Sequence, residues 1–263
     1  MCVILENGEN INEYHKNALK LMKDLENGDY EEKYKIIDEI STSFVKAISF
    51  NPSNYKIYLD EANYYFMIRE YKMSLMACNK AISLNENALD AWKIKGLILQ
   101  KLGRTREALD CYSDAIVIFP KESSLWLEKS LIHFNKGNYE KALNNCNKAL
   151  KLEPKNYFYY YHKGMIFGCM EKYSQASQSL KRSLELSQDI ENPEVFRENC
   201  SRWIEEFDEM DKKHIAKTSP RITYNNGVRK IEGMRLDGKK RVRGSFPPII
   251  FPSQKDFYMD PEE

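Results

Sequence analysis

Residues 91–120 read AWKIKGLILQKLGRTREALDCYSDAIVIFP, an order of aromatic (Trp92), small residue (Gly96), alanine (Ala108), aromatic (Tyr112), alanine (Ala115) and closing proline (Pro120). A shift of 34 residues decides whether this is one hairpin or one copy of several. Trp92 then falls on Trp126 and Tyr160 in one direction and on Tyr58 in the other. Gly96 falls on Ser130, Gly164 and Ala62, so the site is always small. Ala108 falls on Ala142, Ala176 and Ser74, while Ala47, Ala81, Ala115, Ala149 and Ser183 keep the same interval. Pro120 falls on Pro154, and Pro52 stands two periods earlier. One unit has been copied, and self-similarity at such a period marks a stacked repeat architecture.

The pattern predicts two helices per unit, such as 90–102 and 105–118. Gly103, Gly137 and the stretches 70–71 and 171–173 mark the reversal between them, where a helix must stop and turn. Gly96 and Ala108 let the two helices approach closely, and Trp92 and Tyr112 fill the remaining space. Pro120 and Pro154 cannot continue the second helix and end it. At the other junctions, 85–87 and 187–189 are polar stop signals without proline.

A 34-residue unit with this order resembles the tetratricopeptide repeat (TPR) family, over residues 55–190 as units 55–88, 89–122, 123–156 and 157–190. The resemblance implies an all-α fold, a right-handed α-solenoid of antiparallel helix pairs. It also implies a protein–protein interaction scaffold rather than an enzyme. Residues 1–54 read as an N-terminal helical segment, a divergent repeat or a cap: Phe44, Ala47 and Pro52 are in phase, but roughly seven extra residues separate them from the preceding GDYEE turn. Residues 191–214 read as a capping helix, with Asn192 as N-cap, Pro193 in the first turn and Val195, Phe196, Cys200, Trp203, Ile204 and Phe207 at helical spacing. Such a helix would cover the core that a solenoid end exposes.

Bulk composition excludes several classes. Forty Lys and Arg against 39 Asp and Glu leave a formal charge of +1 in 263 residues, so the whole molecule has no long-range attraction for a polyanion. The apolar start MCVIL is short and lacks a basic flank, and no run reaches the about 20 apolar residues that span a bilayer. A cytoplasmic protein without membrane association is expected. The six cysteines, Cys2, Cys78, Cys111, Cys146, Cys169 and Cys200, form no C-x-x-C pair and read as separate reduced thiols. His15, His133, His162 and His214 have no metal-binding partner at ligand spacing, and His133 occupies the repeat position of Leu99 and Phe167, a packing site. No phosphate-binding, dinucleotide-binding or nucleophile-elbow motif is present. No cofactor, metal or catalytic residue is expected.

In the TPR family, one stripe of each first helix lines a concave groove. Here that stripe is Leu59, Asn63 and Phe66; Lys93, Leu97 and Gln100; Leu127, Leu131 and Phe134; and Tyr161, Met165 and Gly168. It is mostly apolar, which suits an amphipathic helix or an extended apolar peptide of another protein. The family's carboxylate clamp, which holds the acidic end of a chaperone with Lys, Asn and Arg, is poorly matched: only Asn63 and Lys93 fit, and Glu128 stands where a base is wanted.

After His214 the period stops. Residues 212–243 hold eleven Lys and Arg and two acids, a local charge of +9. Asn-Gly at 226–227 and Asp-Gly at 237–238 sit between short alternating segments, the signal of a β-hairpin or small meander. The alternative function is therefore a nucleic-acid-associated adaptor, with Arg229, Lys230, Arg235, Lys239, Lys240, Arg241 and Arg243 as candidate contacts. Finally FPPIIFP, 246–252, is too apolar for a solvating tail and is expected to dock on an apolar surface, this chain's own groove or a partner's.

Overall fold

Eight helices begin at a constant interval. The first helices of the four units are α3 (Tyr55–Met67), α5 (Leu89–Lys101), α7 (Ser123–Asn135) and α9 (Tyr157–Cys169). The second helices are α4 (Tyr71–Leu84), α6 (Thr105–Ile118), α8 (Tyr139–Leu152) and α10 (Tyr173–Leu186). These come from a computed structural model that describes residues 11–27, 30–187, 194–218, 221–225 and 228–232. The chain divides into two compact units, residues 1–154 and 155–263. The fold class is all-α, built from antiparallel helix pairs of the solenoid type, with a short hairpin of strands following α11. Among the described residues, no helix is long and apolar enough to cross a membrane.

The reversal inside each pair has one chemistry four times over. The amide of the residue two past each first helix's C-cap donates to a carbonyl five residues back: Glu70 to Tyr65, Arg104 to Leu99, Asn138 to His133 and Lys172 to Phe167, at 2.8–2.9 Å. This closure needs a left-handed residue just after the cap. Gly103 and Gly137 supply it at φ 72°, and Arg69 and Glu171 adopt φ 61° and 59° at the same repeat position. Only glycine enters that region freely.

Close approach of paired helices is equally local. A Cβ on Gly96 would stand 2.3 Å from the Tyr112 ring, and one on Gly164 would stand 2.8 Å from Leu180. Where the small residue is serine, it also bonds across the pair. Ser74 Oγ donates to the Ala62 carbonyl at 2.6 Å, and Ser130 Oγ to the Ala142 carbonyl at 2.7 Å. Buried hydroxyls so partnered avoid the penalty of an unmade bond.

In the first unit, α1 (Ile11–Asn27) and α2 (Tyr30–Phe50) form a further pair. The extra residues seen in the sequence lengthen α2, which has 21 residues where the other second helices have 14. Ala18, Ile40, Phe44 and Ala47 pack with Ile57 and Tyr64 of α3, and His15 Nε2 lies 2.7 Å from Asp60 Oδ2. A second cluster joins Leu99, Tyr112 and Ala115 to Leu125 and Ile132 across α5, α6 and α7.

The second unit holds α9, α10 and α11 (Glu194–Thr218). Of the apolar positions read for a capping helix, Cys200, Trp203 and Phe207 are buried, while Val195 is exposed; Asn192 and Pro193 lie outside the described residues. Strands β1 (Arg221–Asn225) and β2 (Val228–Glu232) pair antiparallel, with Asn225 opposite Val228 and Arg221 opposite Glu232. The Asn-Gly at 226–227, the Asp-Gly at 237–238 and the segment 246–252 lie outside the described residues.

Candidate functional site

Within the first unit, α3, α5 and α7 carry nine stripe positions, and packing sorts them. Leu59 and Phe66 are half-buried, leaning on Tyr58, Ala81 and Ala91 and on Ala62, Ala77 and Tyr71 respectively. Asn63, Lys93, Leu97 and Gln100 also keep part of their surface, and Phe134 does so while its ring meets Tyr139 edge-on at 5.8 Å. Leu127 and Leu131 are 7 % and 5 % exposed. The stripe reading puts both on the groove; the structure puts them in the core, because α7 is apolar on more than one face and burial of Leu is worth about 1.5–3 kcal/mol.

The polar members form a network that the sequence did not suggest. Lys93 Nζ is 3.0 Å from Glu122 Oε1, and Ser124 donates to the same carboxylate. Gln100 Nε2 donates to the Tyr112 hydroxyl at 3.2 Å and to Glu128 Oε2 at 3.5 Å. Tyr112 in turn bonds Glu128, and the path exists because Gly96 has no side chain to hold the Tyr112 ring away. Burial raises the Glu128 carboxyl to about 7, against the weaker opposing pull of Gln100, Lys93 and Tyr112. Glu122 is held below the usual carboxylate range: its own burial opposes this, but Ser124 and Lys93 together outweigh it. Tyr112 reads from sequence only as a filler between helices, and Glu128 only as a mismatch to the clamp. In the three-dimensional structure both stand beside Gln100.

In the second unit the stripe is covered. Tyr161 is half-buried against Phe196 of α11, ring centroids 5.5 Å apart, and Tyr157 meets the same ring at 5.1 Å. Met165 is 1 % exposed, and a Cβ on Gly168 would meet the Phe207 ring at 2.3 Å. Met165 is thus placed in the core, not on a surface, since α11 packs where a further helix pair would. Lys181 Nζ and Asp208 Oδ2, 3.1 Å apart, tie α10 to α11 outside that core.

His133 is half-buried, and desolvation followed by Lys141, Lys129 and Lys136 lowers its affinity for a proton. His162 is fully buried, which lowers its pKa to about 3. Burial raises the thiols of Cys78, Cys111 and Cys200 to about 12, so these three are poor nucleophiles. Among the described residues, no group of three His, Cys, Asp or Glu could hold a metal ion. Of the candidate nucleic-acid contacts, Arg229 and Lys230 lie on β2, and Arg235, Lys239, Lys240, Arg241 and Arg243 lie outside the described residues.

Comparison with known proteins points one way. The tetratricopeptide repeat profile matches residues 123–156 and again 159–190. No curated protein sequence matches the chain. Among solved structures, the crystal structure of MamA protein aligns with a TM-score of 0.52 at 17 % identity, over 66 % of this chain and 93 % of that one. The MamA 41-end structure from Desulfovibrio magneticus RS-1 gives the same TM-score and identity, over 66 % and 98 %. YrrB, described as a TPR protein with an unusual peptide-binding site, aligns with a TM-score of 0.50 at 18 % identity, over 67 % and 86 %. At these identities the likeness is one of fold.

Proposed function

We propose, from the premise that this chain is a tetratricopeptide repeat protein, that it is an interaction scaffold whose first unit holds a peptide or amphipathic helix of another protein on the stripe of α3, α5 and α7. The observation that carries the reading is the partial exposure of Leu59, Asn63, Phe66, Lys93, Leu97 and Gln100 on consecutive first helices. A surface that alternates apolar side chains with Asn, Lys and Gln supplies both an apolar seat and the polar groups that fix a backbone. YrrB, a protein of the same fold, has a peptide-binding site, and that supports a peptide as the class of ligand. The stripe of the second unit has α11 on it, so the binding face is assigned to α3, α5 and α7 only.

The test is a random peptide library displayed on phage and selected on the full chain, followed by affinity measurement of a selected peptide. Leu97→Glu is expected to weaken binding at least about tenfold, by placing a charge on an apolar seat, with the thermal midpoint unchanged. Selected peptides that bind Leu97→Glu as well as the parent would refute the assignment of the face.

A further inference from the structure

Glu128 is a carboxylate in the middle of the proposed binding face, where the pull of Lys93 is weaker than the cost of burial. The nearest cation on α5, Lys93, is engaged at 3.0 Å by Glu122. The groups that bond Glu128 itself, Gln100 Nε2 and the Tyr112 hydroxyl, are neutral dipoles. Burial of an ionised carboxylate is costly unless a positive group offsets it. The free protein answers that cost by holding the proton: the Glu128 carboxyl is raised to about 7. A cation brought by a ligand would answer it differently, by keeping the carboxylate ionised in a site of low dielectric where the attraction is strong.

The surroundings suit a cation better than any other group. Gln100 and Tyr112 hold the carboxylate in place at its edge, which fixes the geometry of a bond before the ligand arrives. Leu97, part-exposed one turn earlier on α5, offers an apolar neighbour for the methylene stem of a Lys or Arg side chain. An acidic ligand group would meet Glu128 and Glu122 together, with Lys93 already paired to Glu122. The charge pattern therefore runs opposite to that of a carboxylate clamp.

We propose that the partner segment held by the first unit carries a Lys or Arg side chain that pairs with the Glu128 carboxylate. This rests on the interaction-scaffold reading above and adds the chemistry of the ligand to it. Glu128 is the specificity-determining residue, Gln100 and Tyr112 position it, and Leu97 seats the stem.

The random peptide library again supplies the probe, selected in parallel on the full chain and on its Glu128→Gln variant, which keeps the shape and the bond to Gln100. Peptides selected on the parent are expected to carry Lys or Arg at one fixed position among apolar residues, and those selected on Glu128→Gln are expected to lose that preference. Replacing the basic residue of a selected peptide by norleucine should weaken binding to the parent about tenfold and to Glu128→Gln hardly at all. Peptides that compete for the Leu97 face yet show no basic preference would overturn this inference and leave the scaffold reading intact. If no peptide is enriched on the full chain, both fall together.

Discussion

Position for position, α9 carries the same stripe as α5, yet the two stripes end in different environments. On α5, Lys93, Leu97 and Gln100 keep part of their surface, and Lys93 and Gln100 meet charged or polar neighbours. On α9, Tyr161 lies against Phe196, Met165 is buried and Gly168 sits under Phe207. A repeat position therefore does not have a function of its own: what packs on it decides whether it recognises a partner or completes a core. In this chain α11 makes that decision for the second unit.

The largest effect should come from breaking the covered stripe. Phe207 is fully buried over Gly168, and Phe207→Ala should cost about 3–5 kcal/mol in the second unit. Denaturant unfolding followed by hydrogen exchange should show that loss at α9–α11 amides and not at α5 amides. An equal loss in both units would mean that the two do not respond separately.

Next comes the contact that connects scaffold to groove. Gly96→Ala puts a Cβ into the Tyr112 ring, and should destabilise the first unit by about 1–3 kcal/mol. Adding Tyr112→Leu should recover most of that stability, while removing the hydroxyl that Gln100 and Glu128 share. If the double variant stays as unstable as the single one, Tyr112 is not the obstacle.

The two units should also answer pH in opposite senses at their buried groups. Glu128 has its pKa raised to about 7 in the fold, so the folded state holds a proton the unfolded chain has given up. Its contribution is complete below the ordinary carboxylate range and is lost as pH rises towards and through about 7. Glu128→Gln should therefore stabilise the first unit at pH 8 by on the order of 2 kcal/mol, allowing for partial exposure, and leave it unchanged near pH 4. His162 has its pKa lowered to about 3, so its contribution is present above the ordinary histidine range and is lost as pH falls below about 6.5. Hydrogen exchange of the full chain at two pH values reads both, and like-signed slopes at these sites would contradict the assignment.

The smallest effects lie at the turns. Gly103 is at φ 72° with nothing near its missing Cβ, so Gly103→Ala tests backbone conformation alone and should cost about 1 kcal/mol. At the same position in the second unit, Glu171 is at φ 59°, and Glu171→Gly should be neutral or stabilise by less than about 1 kcal/mol. Thermal unfolding of both variants checks the pair.

How much of this could be read from the chain alone follows from the range of the interactions involved. The aromatic at Trp92, the small residues at Gly96 and Ala108 and the turn at Gly103 are local requirements, repeated four times, and so the helix pairs were legible. The Asn-Gly signal in the sequence at 226–227 is local as well, and the flanking strands β1 and β2 pair antiparallel. The stripe was legible as a set of positions but not as a surface. Burial of Leu127, Leu131 and Met165 depends on neighbours far away in sequence, and although 191–214 read as a cap, without a repeat register that reading does not say which stripe residues it covers. The reversals at 70–71 and 171–173 were legible, but the left-handed conformation of Arg69 and Glu171 was not, because a non-glycine residue leaves no signal of it. Glu128 is the clearest case. Its bonds to Gln100 and Tyr112 span two other helices, and only the absence of a basic residue there pointed to it.

The central claim is that a partner lies on α5 of the first unit. A photo-reactive benzoylphenylalanine at position 97 can be compared with one at position 117, where Val117 is 82 % exposed on α6. A library-selected peptide should crosslink from position 97 and not from position 117. Crosslinking from 117 with none from 97 would place the partner on another surface and contradict the account.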